Sequence, residues 1–372
     1  MTVRDAAGTP ASDRAAKRQR LLGILEGAGL GGPGLEGASP GGPVADALVL
    51  SSHAAVSWYL DGARTHASLA GDPLLAVIVD RDGDTVVTSS NERARLVDEE
   101  LPPGVAVVAV PWHEPLSTAL PGGPLVLHEH DVAPELRAAR APLLPLELAR
   151  YRALGRDCAE VLTGVLGAAR PADRETDVAA AVAAALVARG IDPLVILVAG
   201  RPRLGHRHPL PTGGPLEDRA MVVVCGRRHG MIANLTRWVR FGPARDGERD
   251  AERRIRDVEA AFFAATVAGT GIADVFAAGS SAYAANGFDP DEWRNHHQGG
   301  AAGYNGRDPR ATPAVPDLVH VGQAFAWNPT APGAKIEDTV LVTADGIDVL
   351  TADEAWPTVT VGGVRRPVEL QN

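Results

Sequence analysis

The chain is poor in most features that would give it away. It has two cysteines in 372 residues, Cys158 and Cys225. They are too few and too far apart for a disulfide framework or a cysteine-rich zinc or iron–sulfur site. Aromatic residues make up only 4%. No run of about 18 apolar residues occurs, which leaves no candidate transmembrane helix and argues against a membrane partner. There is no excess of positive charge either: 36 Lys and Arg stand against 46 Asp and Glu, a net charge of −10. An acidic surface repels phosphate backbones, so nucleic acid is not an expected partner. The first twenty residues carry Arg4, Arg14, Lys17, Arg18 and Arg20 without an apolar stretch, so no secretory signal is expected and the expected location is the cytoplasm.

What is present is length and an apolar content of 45%. Cores rarely grow as one unit beyond roughly 250–300 residues, so two domains are expected, 1–145 and 146–372, with 1–43 partly flexible. Gly27–Pro43 is dense in glycine and proline and reads as a loop. It includes a formal G-x-G-x-x-G, Gly27 to Gly32, but that motif binds dinucleotides only between a strand and a helix. Here the preceding residues are charged and helical.

From Ala45 the pattern alternates. Strands are expected at Ala45–Ser51, Leu74–Asp80, Asp84–Ser89 and Val105–Val110. Helices are expected at Ala54–Leu60 and Asn91–Glu100, and 121–145 reads as a Pro- and Gly-rich connection. Within it, His128-Glu129-His130-Asp131 has no ligand spacing downstream and reads as surface. Helices are then expected at Leu146–Ala169 and Asp173–Arg189, the second with acidic residues in its first turn, where the helix dipole favours them. Leu194–Ala199 follows as a strand, then Ala220–Gly226 paired with Gly230–Phe241. Two more helices, Ala251–Ala268 and Ile272–Asn286, precede strands at Val319–Trp327, Glu337–Thr343 and Ile347–Leu350. Helices followed by antiparallel strand pairs indicate α+β.

Four segments crowd polar groups into turns bounded by glycine or proline. They are Gly205–Thr212, with His206, Arg207 and His208; Ile232–Arg237, with Asn234 and Arg237; Asn295–Gly300, with His296, His297 and Gln298, running on to Tyr304; and Phe325–Pro329, with Trp327 and Asn328, followed by Lys335–Thr339. Glycine lets backbone approach a ligand closely, and histidine ligates metal or moves protons near neutral pH.

In this order and spacing the segments resemble the creatinase, aminopeptidase P and prolidase family. The resemblance rests on His208-Pro209, Asn234-Leu235-Thr236-Arg237, His297 with Gly300, Asn328-Pro329 and Ile336-Glu337-Asp338-Thr339, over about residues 146–355. The stretch Val56–Gly62 is similar to part of the smaller domain that precedes the catalytic one in these proteins. The resemblance implies a C-terminal pita-bread domain behind a smaller α/β domain, and a homodimer in which the Trp58–Gly62 segment of one subunit faces the other's cleft.

Metal-dependent members hold two divalent ions with two Asp, one His and two Glu. Counted back from Asn234, the first Asp position falls on Val223; the others are Asn234, His297 (or His296), Asn328 and Glu337. One carboxylate in five does not offset two dications, so neither a dinuclear metal centre nor another cofactor is expected, with one weakly held ion on His297 and Glu337 left open. Creatinase is a metal-free member that cleaves a C–N bond with a histidine as proton shuttle, and His208 matches that histidine. The resemblance therefore implies a metal-independent hydrolase, or a lyase, acting on a small polar C–N substrate. His208, His297 and Glu337 are its candidate catalytic residues. The substrate would be bound by His206, Asn234, Arg237, His296, Gln298, Tyr304, Trp327 and Asn328. The rival readings are a non-catalytic binding protein and a residual metal-dependent Xaa-Pro peptidase.

Overall fold

The computed structural model describes residues 10–27 and 44–372. The expected glycine-rich loop and its G-x-G-x-x-G, apart from Gly27, lie outside the described residues. The chain divides into two compact units, Met1–Leu146 and Glu147–Asn372.

In the first unit α1 (Pro10–Gly27) is followed by β1 (Ala47–Leu50), α2 (His53–Tyr59), β2 (Leu75–Asp80), β3 (Asp84–Ser89), α3 (Arg93–Arg95), β4 (Ala106–Val110), β5 (Val126–His128) and α4 (Ala133–Arg140). The strands form one mixed sheet in the order β4-β3-β2-β1-β5. Three corrections arise here. The expected helix Asn91–Glu100 is a single α-turn running into a π-turn at Leu96–Glu100. The connection at 121–145 contains α4, started by Pro134 and an acidic first turn. Trp58 and Tyr59 are fully buried in α2, so Trp58–Gly62 does not offer its rings to a partner. Glu129 accepts from the backbone N–H groups of Ser51 and Ser52, and His130 is exposed.

The second unit begins with α5 (Pro145–Ala168) and α6 (Glu175–Val187), then β6 (Asp192–Gly200), β7 (Arg219–Arg228) and β8 (Met231–Arg240). After α7 (Glu248–Ala265) and α8 (Ile272–Ala285) come β9 (Gly299–Ala302), β10 (Ala324–Trp327), β11 (Thr330–Ala331), β12 (Ala334–Lys335), β13 (Asp338–Thr343) and β14 (Gly346–Val349). The chain closes with β15 (Thr358–Val361), β16 (Val364–Pro367) and β17 (Leu370–Gln371), three strands the sequence pattern does not announce. Two four-stranded sheets result, β17-β8-β7-β6 and β14-β13-β10-β9. They meet along β8 and β13, where Thr236 N–H donates to the Glu337 carbonyl and Asn234 N–H to the Thr339 hydroxyl. The expected strand at Val319–Trp327 shortens to β10.

Apolar faces of α7 and α8 cover one side of β10 and β13. Val258, Phe262, Phe276, Tyr283, Phe325, Trp327 and Val340 form a common core there. On α5, Tyr151 is fully buried and donates to the Ile232 carbonyl at 2.6 Å. One turn further, Gly155 lies so close to the strand end that a Cβ would sit 2.3 Å from the Leu350 carbonyl oxygen. Gly155→Ala is therefore expected to destabilise the chain by ~1–3 kcal/mol, the usual cost of overpacking, read as a lowered urea midpoint at unchanged slope.

The β7–β8 hairpin sets the register for everything that follows. His229 and Gly230 form its two-residue turn with φ of 51° and 77°, the paired positive angles that match strand twist. Arg228 then faces Met231, and Cys225 faces Asn234.

Candidate functional site

Three imidazoles converge in the second unit. His208 comes from the loop between β6 and β7, His296 and His297 from the turn before β9. Their ligating nitrogens lie within 4.8 Å of one another. His296 Nε2 is 3.1 Å from His208 Nε2, so one ring donates and the other accepts. The rings of His296 and His297 stack at 4.4 Å, and those of His208 and His297 at 5.8 Å. His208 keeps an exposed edge while His296 is buried.

Both loops are held from behind. Arg207 pairs with Glu292 and ties the His208 loop to the turn that carries His296. Gln298 donates to the carbonyls of His296 at 2.6 Å and Trp293 at 2.9 Å and accepts from Tyr283 at 2.7 Å. Its polar atoms are thus occupied, and it positions the histidines rather than meeting a substrate. The paired glycines have a different reason from the expected one. A Cβ on Gly299 (φ +100°) would sit 2.1 Å from the Ala326 carbonyl, and one on Gly300 (φ +141°) 2.5 Å from that of Pro309. Chain, not ligand, makes the close approach.

Burial and neighbouring cations keep the imidazoles neutral. Burial, then Lys335 and the other two histidines, pushes His296 down to about 2. Burial, then Arg307, Arg310 and Lys335, pushes His297 down to about 3. His208 is lowered by burial and Lys335, with Glu337 opposing.

Glu337 is buried, bonded to Arg307 Nη2 at 2.6 Å and to the Thr236 hydroxyl at 3.2 Å. Asn234 stands on β8 on the same face as Thr236. Asn328 follows β10, its N–H donating to the Gln298 carbonyl, at the level of Glu337. Asn234 Oδ1, Asn328 Oδ1 and the Nδ1 atoms of His296 and His297 are all buried without a hydrogen-bond partner. Buried polar atoms are normally paired, so these four are open to a bound group or to water.

Several expected residues lie elsewhere. Side chains alternate along a strand, so Arg237 leaves β8 on the face opposite Asn234 and Thr236. There it bonds Asp338 at 2.9 Å and the Thr351 carbonyl at 2.7 Å. Trp327 is fully buried between Phe262 and Phe325, its indole N–H on Thr266. Tyr304 is buried and donates to Glu147 at 2.6 Å. All three are structural contacts. His206 is exposed, one residue beyond the Arg207 tie.

The site also contains residues the sequence reading missed. Cys225 is one: the hairpin sets it directly opposite Asn234, while Val223, the expected first Asp position, stands on the same face opposite Thr236 and packs with Leu197, Met221 and Trp238. Burial pushes the Cys225 thiol up to about 12, so it stays protonated. Lys335 and Arg307 are the other two. Lys335 was detectable, since two residues before Glu337 a side chain returns to the same face of an extended chain.

A dinuclear metal centre does not fit this donor set. Its five positions hold the valine Val223, two neutral amides, an imidazole and one carboxylate already neutralised by Arg307. Lys335 adds a further positive charge. The imidazole cluster has the donor type for a single ion, but the cations that keep those rings neutral also oppose a dication.

The fold has many known counterparts. The chain is similar to the prolidase from Pyrococcus horikoshii OT3, at 15% identity and a TM-score of 0.71 over 91% of this chain and 98% of that one. It is similar to the dipeptidase PepE from Mycobacterium ulcerans, at 20% identity and a TM-score of 0.72 over 98% and 100%. It is also similar to the N-terminal domain of the FACT complex subunit SPT16 from chickpea, at 13% identity and a TM-score of 0.62 over 91% and 97%. No curated protein matches the chain in sequence. The architecture is α+β, a pita-bread domain behind an N-terminal domain. A model of metallopeptidase family M24 matches residues 149–344, more than half the chain, and the chain belongs to that family.

Proposed function

We propose that this member of a family of peptidase-type hydrolases cleaves a C–N bond of a small polar substrate without a metal, in the manner of creatinase, with His208 as proton shuttle. The observation that carries the reading is the His208–His296 hydrogen bond between two imidazoles kept uncharged. Neutral His208, at the open edge of the cluster, is a base that takes a proton from water and returns it to the leaving nitrogen. His296 bonds to it at Nε2, and His297 stacks on both rings. The unpartnered oxygens of Asn234 and Asn328 suit N–H groups of an amide, urea or guanidine. Residual Xaa-Pro peptidase chemistry on two metal ions finds no support in the donor set. A lyase would use the same shuttle, and product analysis separates it from a hydrolase.

Purified protein is expected to contain well under one equivalent of Mn, Co, Fe or Zn, and EDTA is expected to leave its melting temperature unchanged. Elemental analysis finding two stoichiometric ions would overturn metal independence; one ion would assign the three histidines to it instead.

The same reading takes the protein as a cytoplasmic homodimer whose partner is a small molecule, not nucleic acid or membrane. No helix among the described residues is long and apolar enough to cross a membrane. Light scattering at micromolar concentration is expected to give twice the chain mass; monomer alone would count against the dimer.

A further inference from the structure

A cavity of about 660 Å³ lies away from the histidines, on the side of the β8–β13 seam where Arg237 meets Asp338. Ligand sites commonly enclose roughly 300–1,000 Å³. Ile347, Asp348 and Val349 of β14 line this cavity, and so do residues 363–367 at and along β16. Side chains alternate along a strand, so a cavity touched by consecutive residues meets the strand's edge and not one of its faces. Both edges are open. Val342 bonds to Gly322 and Gln323 beside β10, so in the antiparallel β13–β14 pairing it is Leu341 that bonds to Asp348. Ile347 and Val349 therefore turn their N–H and C=O groups outward. On β16 the two-residue turn at Gly362-Gly363 makes Val361 and Val364 a bonded pair, and Val368 N–H donates to the Pro357 carbonyl at 3.0 Å. Arg365 thus turns its N–H and C=O outward, and Pro367, which has no N–H, occupies a position that only an edge tolerates. No described residue bonds these outward groups.

We propose that this slot takes one extended peptide segment of a partner protein as an added strand between β14 and β16, uncharged and with apolar side chains at every second position. Two open edges on one cavity ask for a ligand that carries donors and acceptors along both sides, which an extended main chain does. The two faces of the slot differ. Ile347, Val349 and Val364 pack toward the core formed with α7 and α8. Asp348 leaves β14 on the other side, where it pairs with Arg152 of α5 at 2.9 Å. An inserted strand therefore rests alternate side chains on an apolar floor and turns the others toward polar groups. The charges of the lining balance. Arg237 and Arg366 are paired with Asp338 and Glu259, Arg152 with Asp348, and Arg189 with Glu160; Arg156 and Arg365 stand against Asp353 and Glu354. A segment of strong charge of either sign gains nothing from such a field, which selects an uncharged one. An uncovered strand edge otherwise invites non-specific pairing.

The test titrates the full-length protein with acetyl-Ser-Val-Ser-Val-Ser-Val-Ser-amide, and with the same peptide N-methylated at its valines, by calorimetry and amide hydrogen exchange. The first peptide is expected to bind saturably and to slow exchange at Ile347, Val349 and Arg365. The N-methylated one keeps the side chains, loses the donors of one edge and is expected to bind about tenfold or more weakly. Arg365→Pro removes an outward N–H that the hairpin does not use and is expected to weaken binding by about tenfold. Arg365→Gln keeps that N–H and is expected to bind as the parent chain does. No saturable binding, equal binding of the two peptides, or binding without protection of these amides would overturn the proposal. So would protection already present in the free protein, which would mean that the chain or a second copy of it fills the slot. The peptide pair is measured on the unaltered protein, so an Arg365→Pro chain that failed to fold would leave the test standing. Nothing in it depends on the chemistry at the histidines, so the slot and the C–N hydrolase reading can fail separately.

Discussion

His208→Ala is expected to lower turnover of the C–N substrate by ~10²–10⁴-fold, the range that a positioned general acid–base group contributes. The melting temperature should barely move, because the ring has an exposed edge and makes no core contact. Without a metal to generate hydroxide, water must lose its proton to a side chain. His208 is the imidazole at the opening, 3.1 Å from His296. Its pH profile carries a signature. The folded value lies below the ordinary 6.5 because burial and Lys335 disfavour the charged ring. The base therefore stays available as pH falls through 6.5, and the acid limb of kcat/KM should lie below that value. His297→Ala should weaken substrate binding and turnover together. Glu337→Gln should reduce activity by releasing Arg307. Near-full turnover in His208→Ala would make different chemistry, without His208 as proton shuttle, the better reading.

Arg366→Met is expected to cost ~3–5 kcal/mol of stability, the usual consequence of removing one partner of a buried ion pair. Arg366 is 1% exposed and donates to both carboxylate oxygens of Glu259 at 2.6 Å and to Asp338 at 2.8 Å. Asp338 also accepts from Arg237 and from the Thr351 hydroxyl at 2.6 Å. The network thus ties β16 to α7 and to the β8–β13 seam behind the site. Removing the guanidinium strands Glu259, which is fully buried. A double variant, Arg366→Met with Glu259→Leu, removes both charges and should lose less than the single one. Urea midpoints at unchanged slope measure both. A single variant within about 1 kcal/mol of the parent chain, or a double variant worse than the single, would show that the network carries little stability.

The neighbouring residues Arg237 and Glu337 show how far strand periodicity reaches. Period two puts Asn234 and Thr236 on one side of β8 and Arg237 on the other, and it pairs Lys335 with Glu337. It does not say which side faces the histidines. Periodicity alone thus leaves Arg237 among the candidate substrate residues although it anchors the charge network on the far face, and only packing sets Lys335 among the groups acting on the histidines.

The family is legible in Asn234–Arg237 and Ile336–Thr339 alone, and so are most helices and strands of the second unit, because each is written in local periodicity and end signals. The missing carboxylates are legible in the same way, since that needs only residue identity at a position. Three things were decided by tertiary structure. The two-residue turn at His229-Gly230 set Cys225 opposite Asn234 and Val223 opposite Thr236, a register that residue identity alone does not give. The glycines at 299 and 300 answer to strand β10 and to Pro309, distant in sequence. The meeting of His208 with His296 and His297 joins loops some ninety residues apart, tied by Arg207 and Glu292; such a contact has no local signature, because its energy arises only when the intervening helices and strands have packed.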